Sequence, residues 1–138
     1  MNVRDVMTPN PRTVGPNDTL QKTAQIMRDE DTGVIPIVEN GRLSGIVTDR
    51  DIVIRCIADG TFKGKASDAA SDEVITVTPD MTTGDAAELM AEHQIRRLPV
   101  VEGNKLVGIV SLGDLAVKDG KDKRTGDTLE DISQGVKH

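Results

Sequence analysis

Aromatic side chains are almost missing from this chain of 138 residues, which has no tryptophan, no tyrosine and a single phenylalanine, Phe62. Single-stranded nucleic acid is held by stacked rings and duplexes by a broad basic face. With a formal net charge of -6 the chain offers neither, which excludes nucleic acid as a partner. Cys56 is the only cysteine, so an internal disulfide and a cysteine-based metal centre are excluded as well. It reads as a small buried hydrophobe. No run approaches the roughly 18 apolar residues of a membrane span, so no membrane partner is expected. The start, "MNVRDVMTPNP", lacks the apolar stretch of a secretory signal, and a cytoplasmic address is expected. Catalytic signatures are missing too: no glycine-rich phosphate loop with its lysine, no histidine pair at metal spacing, no nucleophile with a recognisable base. His93 sits in a helical stretch and reads as a surface residue, and His138 is terminal. No catalytic residue, no metal site and no required cofactor are expected.

What the chain does have is a repeat. "LSGIVTDRDI", Leu43 to Ile52, returns as "LVGIVSLGDL", Leu106 to Leu115. Pro36 and Pro99, Gly45 and Gly108, and Asp51 and Asp114 stand in one register without a gap. Thr13 meets Thr76 in that register, Val14 meets Val77, Pro16 meets Pro79, Thr19 meets Thr82, Ala24 meets Ala87, and Met27 meets Met90. Two copies are too few for a solenoid, which needs about three stacked units, so they are expected to pack on each other about a pseudo-twofold axis.

Each copy follows the same plan. "RTV" and "ITV" are short extended segments closed by turns at Pro16 and Pro79, after which Thr19 or Thr82 can cap a helix. Leu20, Ala24 and Met27 fall on one helical face, and Ala86, Leu89, Met90 and His93 continue the pattern in the second copy, giving helices of about three turns. "VIPIVENGRLSGIV" places two β-branched runs around Asn40-Gly41, a dipeptide suited to a tight hairpin, and "LPVVEGNKLVGIV" turns at Gly103-Asn104. A second helix starts after Thr48 or Ser111. The expected fold class is α/β (α+β), with two pseudo-twofold-related β-α-β-β-α repeats forming one compact module. Repeat 1 is placed at 1–60, a glycine-broken linker at 61–66, repeat 2 at 67–120, and a charged, mobile tail at 121–138, where "TLEDIS" can form a helical turn.

That order, together with "IPIV", "GIVTDRD", "LPVV" and "GIVSLGD", resembles the tandem CBS domain, the repeat named after cystathionine beta-synthase. The stretches "TDRDIVIR" and "EHQIRRLPVV" are similar to stand-alone CBS pairs of the hypoxic-response type. The resemblance implies a regulatory module that binds an adenosine derivative, such as AMP, ADP, ATP or S-adenosylmethionine, in clefts between the two repeats. It also implies a homodimer formed through the helices, with apolar surface left over on "AAELMA" and "DIVIRCIA". The effector protein that would receive the signal is unknown. A nucleotide-free structural or interaction dimer of the stress-response type is the alternative.

Glycine inside a strand usually marks a place that something approaches closely, which singles out Gly45 and Gly108; close packing of strand on helix is the other reading. Thr48 and Asp51 are three residues apart at a helix start, as are Ser111 and Asp114. A hydroxyl there can reach a phosphate, and a carboxylate can accept two hydrogen bonds from ribose hydroxyls. The same spacing is that of a capping box, which only secures a helix terminus, and both readings stand. Arg96 and Arg97 precede "LPVV", where the resembling family often has a basic residue facing phosphate; an exposed strand edge is the plainer fate of an arginine. The first copy has Gly33 and Val34 at those positions, so the repeats are not equivalent.

The resemblance implies two ligand sets. One joins Thr13, Thr32, Gly33 and Val34 to Arg97, Ser111 and Asp114. The other joins Thr76, Ile95, Arg96 and Arg97 to Thr48 and Asp51, with Val34 where the first has arginine. A charge-assisted hydrogen bond is worth about 1.5 to 3 kcal/mol, so the set containing Arg97, Ser111 and Asp114 is expected to hold a nucleotide more tightly, with Arg50 partly compensating in the other.

Overall fold

The computed structural model describes residues 1–71 and 73–118. The tail 121–138, its "TLEDIS" segment and His138 lie outside the described residues. The chain divides into two compact units, and each sequence copy is the larger part of one.

The first-copy unit holds Arg12–Val74 with Asn104–Leu106. Val14 makes a single parallel bridge to Ile37, so "RTV" supplies one bridging residue rather than a strand. Its N–H donates to the Pro36 carbonyl at 3.1 Å and its carbonyl accepts from Val38 at 2.9 Å. Pro36, which has no N–H to donate, contributes only an acceptor to this contact. Helix α2, Leu20–Glu30, starts at Thr19, whose hydroxyl accepts from the Lys22 N–H at 3.0 Å. It ends at Asp31 in the left-handed conformation. Strands β2, Val34–Glu39, and β3, Arg42–Thr48, form an antiparallel hairpin. Asn40 and Gly41 turn it with φ of 53° and 78°, the two positive angles that a tight two-residue turn of this hand requires. Ile35, Ile37 and Val47 lie in the core beside Leu20, Ile26, Met27 and Cys56, and the register shifts after Ile37.

After β3 the chain enters α3, Asp49–Asp51, and passes without a break into a π-helical stretch, Ile52–Ile57. The wider turn shows in the bond from the Ala58 N–H to the Val53 carbonyl at 2.9 Å. Ile52 and Cys56 are buried while Val53, Ile54 and Ile57 are exposed.

The second-copy unit holds Met1–Pro11, Ile75–Gly103 and the chain from Val107. Helix α5, Thr83–His93, is capped by Thr82 and ends at Gln94, again left-handed. Strands β4, Arg97–Glu102, and β5, Lys105–Ser111, pair and lead into helix α6, Leu112–Lys118. Val77 bridges Val100 as Val14 bridges Ile37. Val3, Val6, Ala86, Ala87, Met90, Leu98, Val110 and Leu115 form the core. "AAELMA" is thus largely absorbed by its own unit, and of the two helical stretches expected to leave apolar surface, "DIVIRCIA" alone does so prominently. Leu89 is partly buried against this core, and His93 is exposed.

The compact units cut across the sequence division at 1–60 and 67–120. A short helix α1, Val3–Val6, and strand β1, Thr8–Pro9, come first in the chain yet belong with the second copy. Val3 and Arg4 donate to the carbonyls of Met81 and Pro79, and β1 pairs with β5 through Thr8↔Ile109. Helix α4, Ala66–Ala69, plays the same part for the first copy: Ala66 and Ser67 donate to Asp18 and Pro16, and Ser71 bridges Ile46. The segment expected as a linker therefore ends inside α4. Each unit takes its bridging residue, capped helix, most of its hairpin and following helical stretch from one copy, and is closed by a leading segment that precedes the other copy in sequence order.

Candidate functional site

Gly45 and Gly108 lie where these leading segments cross the hairpins. A Cβ on Gly108 would come 2.6 Å from Met7 Sδ and 3.0 Å from the Thr8 carbonyl oxygen. On Gly45 it would come 3.1 Å from the Ser71 carbonyl oxygen. What approaches these glycines is the chain itself.

Three residues further along each strand the candidate polar groups begin, at Thr48 and Ser111. In the first-copy unit the hairpin register sets Val34 opposite Thr48, which brings the Thr32–Val34 segment to the start of α3. The Asp49 N–H donates to the Gly33 carbonyl at 2.9 Å. Thr48 Oγ1 accepts from the Asp51 N–H at 3.0 Å, and Asp51 Oδ2 accepts from the Thr48 N–H at 3.0 Å. The reciprocal capping box is therefore formed. Asp51 Oδ1 also faces Arg55 Nε at 3.9 Å, and Arg55 Nη1 donates to the carbonyls of Ala69 and Ala70 at 3.3 and 3.1 Å. Arg55 thereby links the carboxylate to the segment that leads to Ser71. Thr32 Oγ1 accepts from the Val34 N–H at 3.3 Å, and Thr13 is half-buried.

The second-copy unit repeats this backbone. The Leu112 N–H donates to the Arg96 carbonyl at 2.7 Å, while Ser111 Oγ accepts from Asp114 N–H and Asp114 Oδ2 from Ser111 N–H, both at 3.0 Å. Arg97 is half-buried at the start of β4, Arg96 is exposed, and Ile95 and Thr76 are half-buried. Within this unit Ile95–Arg97 is thus gathered with Ser111 and Asp114, as Thr32–Val34 is with Thr48 and Asp51 in the other. In both, the hydroxyl and carboxylate are half-buried rather than sealed off, so a ligand hydroxyl or phosphate can compete for them.

Asp49 escaped the motif reading. Its side chain folds back towards Gly33: a Cβ at Gly33 would stand 2.8 Å from Asp49 Oδ2. Asp49 Oδ1 accepts from the Arg50 N–H at 2.8 Å. Leu112, the residue in register, is buried instead. The signal was available in the repeat alignment, as an acid standing against a leucine at an otherwise matched helix start.

Among the described residues no group of three or more histidine, cysteine, aspartate or glutamate side chains is placed to hold a metal. No helix there is long and apolar enough to cross a membrane. Cys56 is buried at the centre of its unit, and desolvation, aided by Asp68 and Asp59, raises the pKa of its thiol. A buried, protonated thiol is a packing group.

The family model for the CBS domain matches twice, at residues 3–57 and 66–119. The chain is 47% identical over 132 residues to the CBS domain-containing protein YhcV of Bacillus subtilis, covering 95% of this chain and 94% of that protein. It is 40% identical over 116 residues to Hypoxic response protein 1 of Mycobacterium tuberculosis, covering 82% and 81%. Among solved structures it is similar to Hypoxic Response Protein I with two coordinated zinc ions, with TM-score 0.77, 38% identity, and coverage of 84% and 97%. It is similar to CBSX2 in complex with AMP, with TM-score 0.77, 25% identity, and coverage of 87% and 96%. It is also similar to the CBS domain pair of MJ0100 with 5′-methylthioadenosine and S-adenosyl-L-methionine, with TM-score 0.79, 28% identity, and coverage of 88% and 98%. Duplicated hairpin, duplicated hydroxyl–acid pair and matched family model agree: this chain belongs to the CBS-domain family and carries the domain as a pair.

Proposed function

We propose that this chain is a non-enzymatic regulatory module that binds an adenosine derivative through its two hydroxyl–acid pairs, Thr48 with Asp51 and Ser111 with Asp114. The observation that carries the reading is the reciprocal Thr48–Asp51 bond pair and its copy at Ser111–Asp114. Each pair presents a hydroxyl and a carboxylate at a helix start, the groups that a phosphate and a ribose diol require. The similarity to an AMP complex and to a methylthioadenosine and S-adenosylmethionine complex supports the ligand class. Capping and binding are compatible, because without ligand each carboxylate keeps its helix terminus satisfied.

The remaining contacts belong to the same proposal. Thr13, Thr32, Gly33 and Val34 act with Arg97, Ser111 and Asp114; Thr76, Ile95, Arg96 and Arg97 act with Thr48, Asp51 and Val34. AMP, ADP, ATP and S-adenosylmethionine are the candidate ligands, no resident cofactor is required, and the signal passes to an effector protein in the cytoplasm.

The test is calorimetric titration with AMP, ATP, NADH and S-adenosylmethionine. Saturable binding of at least one adenosyl compound is expected, weakened at least tenfold by Asp114→Ala or Asp51→Ala. Absence of any binding at millimolar concentration would sink the reading. The alternative, a nucleotide-free dimer of the stress-response type, is favoured by the exposed apolar row Val53, Ile54 and Ile57 on the π-helical stretch. A homodimer covering that row is proposed under either reading, and light scattering of the same sample reports its mass.

A further inference from the structure

The two helix starts share a backbone and differ in charge. In sequence register, Gly33-Val34 and Thr48-Asp49-Arg50-Asp51 stand against Arg96-Arg97 and Ser111-Leu112-Gly113-Asp114. Leu112 is 7% exposed and packs into its core, leaving that helix start with Asp114 as the one carboxylate of its first turn. Asp49 is exposed instead, and the absent side chain of Gly33 gives its carboxylate the room to fold back. The bond from the Arg50 N–H to Asp49 Oδ1, 2.8 Å long, holds it at the helix start. The helix start at Thr48 therefore carries two carboxylates in its first turn, Asp49 and Asp51. Arg55 is committed to Asp51 and to the carbonyls of Ala69 and Ala70, and among the described residues Arg50 forms no ion pair with either acid.

We propose that Asp49 is a specificity-determining residue, which makes the Thr48–Asp51 site selective for adenosyl compounds that carry no 5′-phosphate and leaves phosphorylated ones to the Ser111–Asp114 site. The inference rests on the adenosyl reading above and deepens it. A phosphate placed at the Thr48 hydroxyl carries between one and two negative charges and meets a second anion that it does not meet at Ser111. Like charges a few ångströms apart at a partly solvated site cost roughly threefold to tenfold in affinity. A ribose diol is neutral and still has Asp51 to accept its hydrogen bonds. A thioether at the 5′ position is tolerated, and a sulfonium is attracted.

The experiment titrates wild type and Asp49→Asn with adenosine, 5′-methylthioadenosine, S-adenosylmethionine and AMP, using Asp51→Ala and Asp114→Ala to assign each binding event. In wild type the Asp51-dependent event should prefer 5′-methylthioadenosine or S-adenosylmethionine to AMP. Asp49→Asn should raise the AMP-to-adenosine affinity ratio of that event by roughly threefold to tenfold and leave the ratio at the Asp114-dependent event unchanged. Loss of the wild-type preference or an unchanged ratio in Asp49→Asn overturns the inference while adenosyl binding itself survives. If no adenine compound binds any variant, the underlying reading fails and takes this one with it.

Discussion

Helices α2 and α5 have the same length, the same threonine cap and the same left-handed exit, yet they are used differently. Helix α5 buries Thr83, Gly84, Ala86, Ala87 and Met90, whereas α2 buries Leu20, Thr23, Ile26 and Met27. Ala24 is exposed and its counterpart Ala87 is 0% exposed. Where α5 has Ala86, α2 has Thr23, whose buried hydroxyl donates back to the Thr19 carbonyl at 2.9 Å. One helix is packed on small side chains, the other on a narrower branched stripe. Duplication thus preserved the backbone plan while the two copies diverged in what each helix touches.

The largest expected effect tests that difference directly. Met90 is 0% exposed and Met27 is 8% exposed. Truncating a buried methionine to alanine costs about 2 to 5 kcal/mol, depending on how well the site collapses. Met90→Ala is expected near the upper end and Met27→Ala near the lower, measured by urea denaturation at constant m. Equal losses would mean that the two methionines contribute equally to their cores, and a larger loss at Met27 would reverse the comparison.

How much of this was legible in sequence follows from which signals are local. The threonine caps, the hairpin turns at Asn40-Gly41 and Gly103-Asn104, and the hydroxyl–acid spacing all depend on residues within a few positions, and the repeat showed each twice. The leading segments were not legible. Val3–Val6 and Ala66–Ala69 are single helical turns, too short to carry a periodicity, and their partners Pro79–Met81 and Pro16–Asp18 are far along the chain. Gly45 and Gly108 signalled that something comes close without saying that it was this chain's own backbone. The π-helical widening of "IVIRCI" leaves no mark on a pattern that an α-helix would share. At the candidate site, Thr48, Asp51, Ser111 and Asp114 were visible because they recur. Asp49 was missed because it does not.

A smaller effect separates the turns that precede the two helices. Asp18 Oδ2 accepts from the Gly15 N–H at 2.7 Å, and its Oδ1 faces Lys22 Nζ at 3.3 Å. The residue in register is Met81, which packs partly buried against its core. The Gly15 hydrogen bond, followed by that from Lys22, lowers the Asp18 pKa in the folded chain. A carboxylate whose folded pKa is depressed adds stability that is complete above its unfolded pKa, about 3.9, and is lost as pH falls through the folded value. Asp18→Ala is expected to cost about 0.5 to 1 kcal/mol at pH 7, kept small by exposure, and the gap to wild type should close below about pH 4. Thermal melts across pH 3 to 7 check it; a gap independent of pH would remove the carboxylate from the explanation.

The smallest effect lies at the opposite ends of the same helices. Helix α5 finishes Glu92-His93-Gln94, and the Gln94 side-chain amide donates to the Ala91 carbonyl at 2.8 Å, a second and shorter bond to an acceptor that the Gln94 N–H reaches at 3.3 Å. Helix α2 finishes Asp29-Glu30-Asp31, and although Asp29 pairs with Arg28 and Glu30 with Arg12, Asp31 carries its charge where the helix dipole is already negative. Asp31 also adopts φ of 51°, as Gln94 does at 53°, so backbone strain does not distinguish the two positions. Charge and amide do. Asp31→Gln should therefore stabilise by about 0.3 to 1 kcal/mol at low salt, through removal of the repulsion and gain of an amide donor for the Arg28 carbonyl. Adding salt to wild type should recover part of the same gain by screening. The measurement is the difference in melting temperature between Asp31→Gln and wild type at low and high salt. A stabilisation that persists undiminished at high salt would assign the effect to the amide cap alone, and no stabilisation at either would show that the acidic end of α2 is already neutralised by Arg28 and Arg12.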